Sequence, residues 1–378
     1  MASESKMRIE ALTFFRFIAA LIVIIFHFGD YTRLANVFAP FIISGPQMVT
    51  FFFALSGFVL MISHYHKKDE KLRNYYVSRV ARIVPVYILA LSLSAAYEYG
   101  VNNNNITALL LSATFLQSWF PPYPLSFNFL GWSLSVEVFF YVTFPLVLFI
   151  IRKSEVSVAR LALLSMVFYI FTQAILSNLI TDNFFNNGPF PLHDLVYYFP
   201  LSHYCSFLLG VTGGYAYVKH RDFFSKRGAF SLIAMLSMLY MTYFSLQKPN
   251  IFLNHIGFHL AYESSFYSPL FIITILSIAY SDNFITRTLS SRFFVLLGES
   301  SYALYILQEP VLILYNRYVA PHLNVSEESK FYLYAGLLII VSIATFNFVE
   351  KPGKKLIFKI NVFLQEKTLK KVQLEQAN

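Results

Sequence analysis

Two ionisable side chains stand inside an apolar run. Between Met7 and Phe28 the chain reads MRIEALTFFRFIAALIVIIFHF, a stretch that reads as a membrane-spanning helix yet holds Arg16 and His27. An ionisable group at membrane depth is costly, so it ordinarily faces a protein interior or a watery cavity. Eleven residues at 100° each make about 1100°, three turns and roughly 20° more, so the two side chains share a helix face about 16 Å apart along the axis. That face carries a fixed cation at one depth and a titratable base at another. The plainer alternative is an arginine snorkelling near the helix start and a histidine at the interface.

Two further clusters have the same character. Arg79 and Arg82, in RVARIVP, are three residues apart at a helix start and share a face. Two guanidiniums on one face suit a phosphate, since each offers a planar fork of donors, while ordinary basic anchoring of a loop is the alternative. GWSLSVEVFFYVTFPL, residues 131–146, sets Glu137 about two turns into an apolar helix, at the depth expected for His27. A carboxylate beside an imidazole orients the ring and stabilises its protonated form; the alternative is a buried acid paired for packing. His255 and His259, four apart, have a metal-ligand spacing without the accompanying glutamate pattern, so no metal is expected. His193 and Asp194 fall in an aromatic-rich loop and receive no assignment.

Stepping out to the elements that must hold these residues, composition sets the class. Of 378 residues 57% are hydrophobic and only 13% charged, with a mean hydropathy of +0.56; soluble domains run near 25% charged. The chain reads as an all-α integral membrane protein. About ten stretches are long enough to span, near 11–28, 46–64, 80–98, 132–151, 158–180, 200–218, 229–247, 264–281, 297–317 and 331–349. The apolar run 106–119 is too short and reads as an interfacial or re-entrant helix. With the N-terminus inside and ten spans, cytoplasmic segments hold 24 of the 29 Lys and Arg, which supports N-in and C-in. The net charge of +9 is then a loop bias and not a sign of nucleic acid. Residues 1–350 form the membrane-embedded domain, and 351–378 a basic cytoplasmic tail expected to lie as an amphipathic helix on the inner surface. The single cysteine, Cys205, excludes an intramolecular disulfide and a cysteine zinc site.

Six segments in order give a resemblance over nearly the whole chain: RFIAALIVIIFH at 16–27, FFFALSGFVL at 51–60, the Arg79/Arg82 pair before Pro85, WSLSVE at 132–137, LGESSYALYILQEPV at 297–311 and FVEKP at 348–352. The sequence resembles membrane-bound acyltransferase family 3, the integral membrane O-acyltransferases of bacterial surface glycans. The resemblance implies an enzyme of the bacterial inner membrane. It would move an acyl group, acetyl by default, from cytoplasmic acyl-CoA to a sugar hydroxyl of a polysaccharide or lipid-linked glycan. It makes His27 the central catalytic residue, with Arg16, Arg79, Arg82 and Glu137 as essential partners. Family members commonly carry a histidine in the segment matching Leu307–Pro310. Here Gln308 stands in that slot, beside Glu309, which either contributes a carboxylate or caps a local packing network.

In the implied scheme Arg79 and Arg82 hold the coenzyme phosphates and Arg16 guides the pantetheine arm. His27 takes the hydroxyl proton and Glu137 holds the imidazole. Ser133 or Ser135 donates to the developing oxyanion, with Trp132 and Glu309 on the substrate side. Two rival classes are a transporter or flippase of a glycan intermediate, with buried charges lining its path, and a non-enzymatic scaffold.

Overall fold

The structure is a computed structural model that describes residues 2–100, 105–181, 192–220 and 261–377, with a few positions between 232 and 242. The described residues are helical throughout, as long apolar runs with few internal breakers require. The principal helices are α1 (Ala2–Phe28), α2 (Gly45–His64), α3 (Leu72–Gly100), α4 (Gly131–Ser154), α5 (Val158–Thr181), α6 (Pro200–Lys219), α7 (Ser268–Tyr280), α8 (Arg292–Glu299), α9 (Ser301–Tyr318), α10 (Glu327–Thr345) and α11 (Lys351–Ala377).

Among the described residues, six helical stretches are long and apolar enough to cross a membrane: Glu10–Phe28, Gly45–His64, Leu72–Glu98, Gly131–Ser154, Val158–Ile180 and Glu327–Lys367. Their outward faces are apolar in helical register. Val142, Leu146 and Phe149 of α4, and Leu163, Val167 and Ile170 of α5, are all exposed, a belt that a soluble protein would bury. Nine of the ten expected spans fall on helices, and the tenth, 229–247, lies mostly outside the described residues, as do His255 and His259. Three of the nine carry weaker signals: α7 has thirteen residues, α6 is interrupted by polar positions, and α9 contains Gln308, Glu309, Asn316 and Arg317. The 106–119 run is an eight-residue helix, Ile106–Ala113, about 12 Å long, followed by a 3-10 turn at Gln117–Trp119.

The tail helix α11 continues α10 through a π-helical turn at Phe346–Glu350. It lies against α3, where Arg73 donates to the side chain and backbone carbonyl of Asn361. A Cβ on Gly353 would stand 2.6 Å from Pro85, so the glycine permits this approach.

Small residues and prolines set the packing. A Cβ on Gly57 of α2 would stand 2.2 Å from the Phe207 carbonyl oxygen. One on Gly210 of α6 would stand 2.0 Å from that of Ala54. Only hydrogen lets these backbones meet, the usual device where lipid supplies no hydrophobic drive between helices. Pro310 and Pro145 lack an N–H, so each releases the carbonyl four residues earlier. Asn128 donates to the freed Ile306 oxygen at 2.8 Å, and Tyr75 to that of Tyr141 at 3.0 Å. Each proline break thereby ties its helix to a neighbour.

Candidate active site

Helices α1, α2, α3, α4, α9 and α11, with Glu299 at the end of α8, surround a cavity of about 500 Å³. At one end Ser78, Arg79 and Arg82 of α3 stand with Lys354 and Phe358 of α11. Next along the helices are Thr13 and Arg16 of α1, Ser56 of α2, and Glu137 and Tyr141 of α4. Val49, Phe52, Phe53, Ser133 and Tyr305 line the other end. The lining carries four cations, Arg16, Arg79, Arg82 and Lys354, against two carboxylates, Glu137 and Glu299.

The two α3 arginines sit in different environments. Arg82 is held by Glu350, at 2.6 Å between Nη1 and Oε1. Glu350 is buried, and its second oxygen has no hydrogen-bond partner. The ion pair leaves the remaining donors of the guanidinium fork available. Arg79 donates through Nε to Ser78 and lies 5.7 Å and 5.5 Å from the ring centres of Tyr75 and Tyr141, with no carboxylate in ion-pair contact among the described residues. A cation over aromatic faces keeps its charge and most of its donors for an incoming anion. Arg16 lines the middle of the cavity, within electrostatic reach of Arg82, Glu137 and Glu350.

The structure brings Arg16, Arg79, Arg82 and Glu137 together but separates Glu137 from His27. The Glu137 carboxylate accepts from Tyr141 at 2.5 Å and from Ser56 at 3.5 Å. His27, at the far end of α1, is exposed and meets aromatic rings: Phe26 at 5.0 Å, Phe28 at 5.9 Å and Phe129 at 4.9 Å between centroids. It does not line the cavity. Helix register explains the gap. Gly45 is pressed against Phe26, so Ser56, eleven residues on, lies about 16 Å below that level, beside Arg16. The Phe129 ring meets His27, so Glu137, eight residues on, lies about 12 Å below it. Both measures put the carboxylate at the depth of the arginine. The shared depth expected for Glu137 and His27 does not follow from this register, because the height of one helix against the next is set by these contacts and not by position within each helix.

The other expected site residues divide clearly. Ser133 borders the cavity, but its hydroxyl donates to the Leu130 carbonyl at 2.9 Å. Ser135 is fully buried and donates to Phe115 at 2.5 Å, which makes it a strut between α4 and the loop before it. Trp132 packs among Phe53, Tyr198 and His203 and does not border the cavity. Glu309 accepts the Phe129 N–H at 3.0 Å and so fixes the entry to α4. Gln308 is buried and donates to the Tyr305 carbonyl at 2.8 Å.

Residues missed in the sequence are Tyr141, Glu350, Tyr305 and Lys354. Tyr141 stands four after Glu137 in an apolar helix, a spacing that puts the two in contact. Glu350 stands in FVEKP, where an acid closing an apolar run signals a buried partner. Lys354 and Phe358 come from the basic tail.

Comparison with known proteins gives the family. Residues 9–347 match the acyltransferase-domain family. A protein of Acidianus two-tailed virus, provisionally named an acetyltransferase, is 26% identical over 76% of this chain and 78% of its own length. An acyltransferase of Streptomyces mycarofaciens is 29% identical over 39% of this chain and 41% of its own. A provisionally named O-acetyltransferase of Staphylococcus aureus is 24% identical over 93% of this chain, which spans 58% of that relative's length. No solved structure matches. With a family match running through five of the six helices that surround the cavity, all but α11, the chain belongs to the acyltransferase-domain family, and it is an acyltransferase.

Proposed function

We propose that the chain transfers an acetyl group from acetyl-CoA, bound from the cytoplasm, to a hydroxyl of a surface or lipid-linked glycan on the other side of the bacterial inner membrane. The observation that carries this reading is the cavity's polarity: four cations line it, and hydroxyl groups of Ser133 and Tyr305 line it as well. A coenzyme with several phosphates cannot enter hydrocarbon, but its pantetheine arm can lie in such a passage. The basic loop 64–82 and the basic tail share the arginine end, which supports placing that end in the cytoplasm, with ten spans and both termini inside.

In this reading Arg79 and Arg82 hold the phosphates, with Lys354 beside them and Glu350 fixing Arg82. Arg16 lies along the arm, and Glu137 offsets its charge. His27 is the base on the acceptor side. Its exposed imidazole takes the proton of the acceptor hydroxyl as that oxygen attacks the thioester carbonyl carbon. The C–O bond forms, the C–S bond breaks, and the proton passes from the imidazolium to the leaving thiolate. Phe52 and Tyr305, with ring centres 5.8 Å apart, stand about 10 Å below His27, so this layer parts when acyl group and acceptor meet. The test is release of free thiol from acetyl-CoA by inside-out membrane vesicles containing the chain, together with mass spectrometry of the glycans from cells with and without it. Acetyl-CoA left intact, or glycans with unchanged O-acetyl content, would sink the reading.

A further inference from the structure

Most buried tyrosines of this chain hand their hydroxyl proton to a backbone carbonyl. Tyr75 donates to Tyr141, Tyr87 to Ser112, Tyr302 to Ile83 and Tyr334 to Gln308, at 2.7 to 3.0 Å. Tyr305 does not. Its side chain is 6% exposed and lines the cavity at the end away from the α3 arginines, and its hydroxyl has no hydrogen-bond partner among the described residues. Ser133 is near enough to interact with the phenol but lies outside hydrogen-bond geometry, and its own proton is committed to Leu130. A buried hydroxyl without a partner is costly to folding, and such groups persist where a ligand supplies the partner.

We propose that Tyr305 is a catalytic residue whose hydroxyl donates a hydrogen bond to the carbonyl oxygen of the acyl thioester. This rests on the acyl-CoA reading above and assigns to Tyr305 the role that sequence gave to Ser133 or Ser135. As the acceptor oxygen adds to the carbonyl carbon, the C=O electron pair moves onto the carbonyl oxygen. The phenol keeps its proton and steadies that charge by donation. When the intermediate collapses the pair returns, the C–S bond breaks and the thiolate leaves. A fixed donor in a site with little water is worth more than the same group in solution. Depth agrees with the assignment. The Phe52–Tyr305 pair is the last layer before the His27 side, so a thioester at the end of an arm anchored on Arg79 and Arg82 stops there.

The test is Tyr305→Phe, which removes the hydroxyl and keeps the ring. In inside-out vesicles the kcat for thiol release from acetyl-CoA falls about a hundredfold or more, while KM for acetyl-CoA stays within about twofold. The melting temperature of the detergent-purified variant does not fall, because no intramolecular hydrogen bond is lost. Tyr334→Phe, which loses a bond to Gln308, melts lower. A kcat within about threefold of wild type, a loss confined to KM, or a lowered melting temperature for Tyr305→Phe would each overturn the proposal. Wild-type chain that releases no thiol from acetyl-CoA overturns the donor reading and this assignment with it. An active wild type with an equally active Tyr305→Phe overturns this assignment alone.

Discussion

The two ends of the site are built on opposite principles. At the arginine end, charge is held in fixed geometry: Arg82 is locked to a buried Glu350, Arg79 is laid over two tyrosine rings, and Lys354 is brought in by a helix pinned to α3. At the histidine end there is no such lattice. His27 is exposed among phenylalanines, and the nearby polar groups, Asn128 and Glu309, are spent on backbone. The first design suits a polyanion, whose recognition needs several cations at set distances. The second suits a neutral alcohol that must approach a free imidazole. The difference implies that binding and chemistry are separable: changes at one end move KM, and changes at the other move kcat.

The strongest way to break that contrast is His27→Ala. If the imidazole is the acceptor-side base, kcat falls about a thousandfold, within the usual range for a positioned base, and KM for acetyl-CoA is unchanged. Because the ring is exposed and makes only edge contacts, thermal stability holds. Steady-state kinetics and a melting curve check both halves, and a rise in KM of the same size would erase the division. Next in size is Glu350→Ala. It strands Arg82 without its counter-charge, so the chain loses about 3 kcal/mol of stability in denaturant unfolding, as removal of one partner of a buried pair does. Glu350→Gln, which keeps an acceptor for Arg82, loses less and shows its effect mainly as a raised KM for acetyl-CoA.

Much of this geometry lies within the reach of sequence, and the part that does not has an identifiable cause. The common face of Arg16 and His27 follows from helix arithmetic within one element, and the pairing of Tyr141 with Glu137 was available by the same means. The depth of Glu137 was not. It compares positions on different helices, and their relative height is set by pair contacts, Gly45 against Phe26 and Phe129 against His27, that no hydropathy pattern encodes. Glu350 was visible within FVEKP, yet its aim at Arg82 depends on a π-helical turn that rotates the last residues of the apolar run toward α3. The place of Lys354 was hidden for a related reason. A basic composition describes a surface helix, and the close approach of Gly353 to Pro85 beside which Lys354 lines the cavity appears only in the packing.

Two smaller effects sharpen the comparison. Arg79→Ala raises KM for acetyl-CoA about tenfold with kcat little changed, since Arg79 has no carboxylate partner whose loss would disturb the fold. Arg79→Lys keeps the charge without the fork and falls between. Glu309→Gln is the smallest. The amide oxygen still accepts from Phe129, so the entry to α4 stays capped, and only the charge near a helix N-terminus is lost. That charge is worth about 0.3–1 kcal/mol, so the expected result is a small drop in stability with kcat within about threefold of wild type. A collapse of kcat in this variant, with stability intact, would make Glu309 part of the chemistry at the histidine end, and that end would then hold a working carboxylate after all.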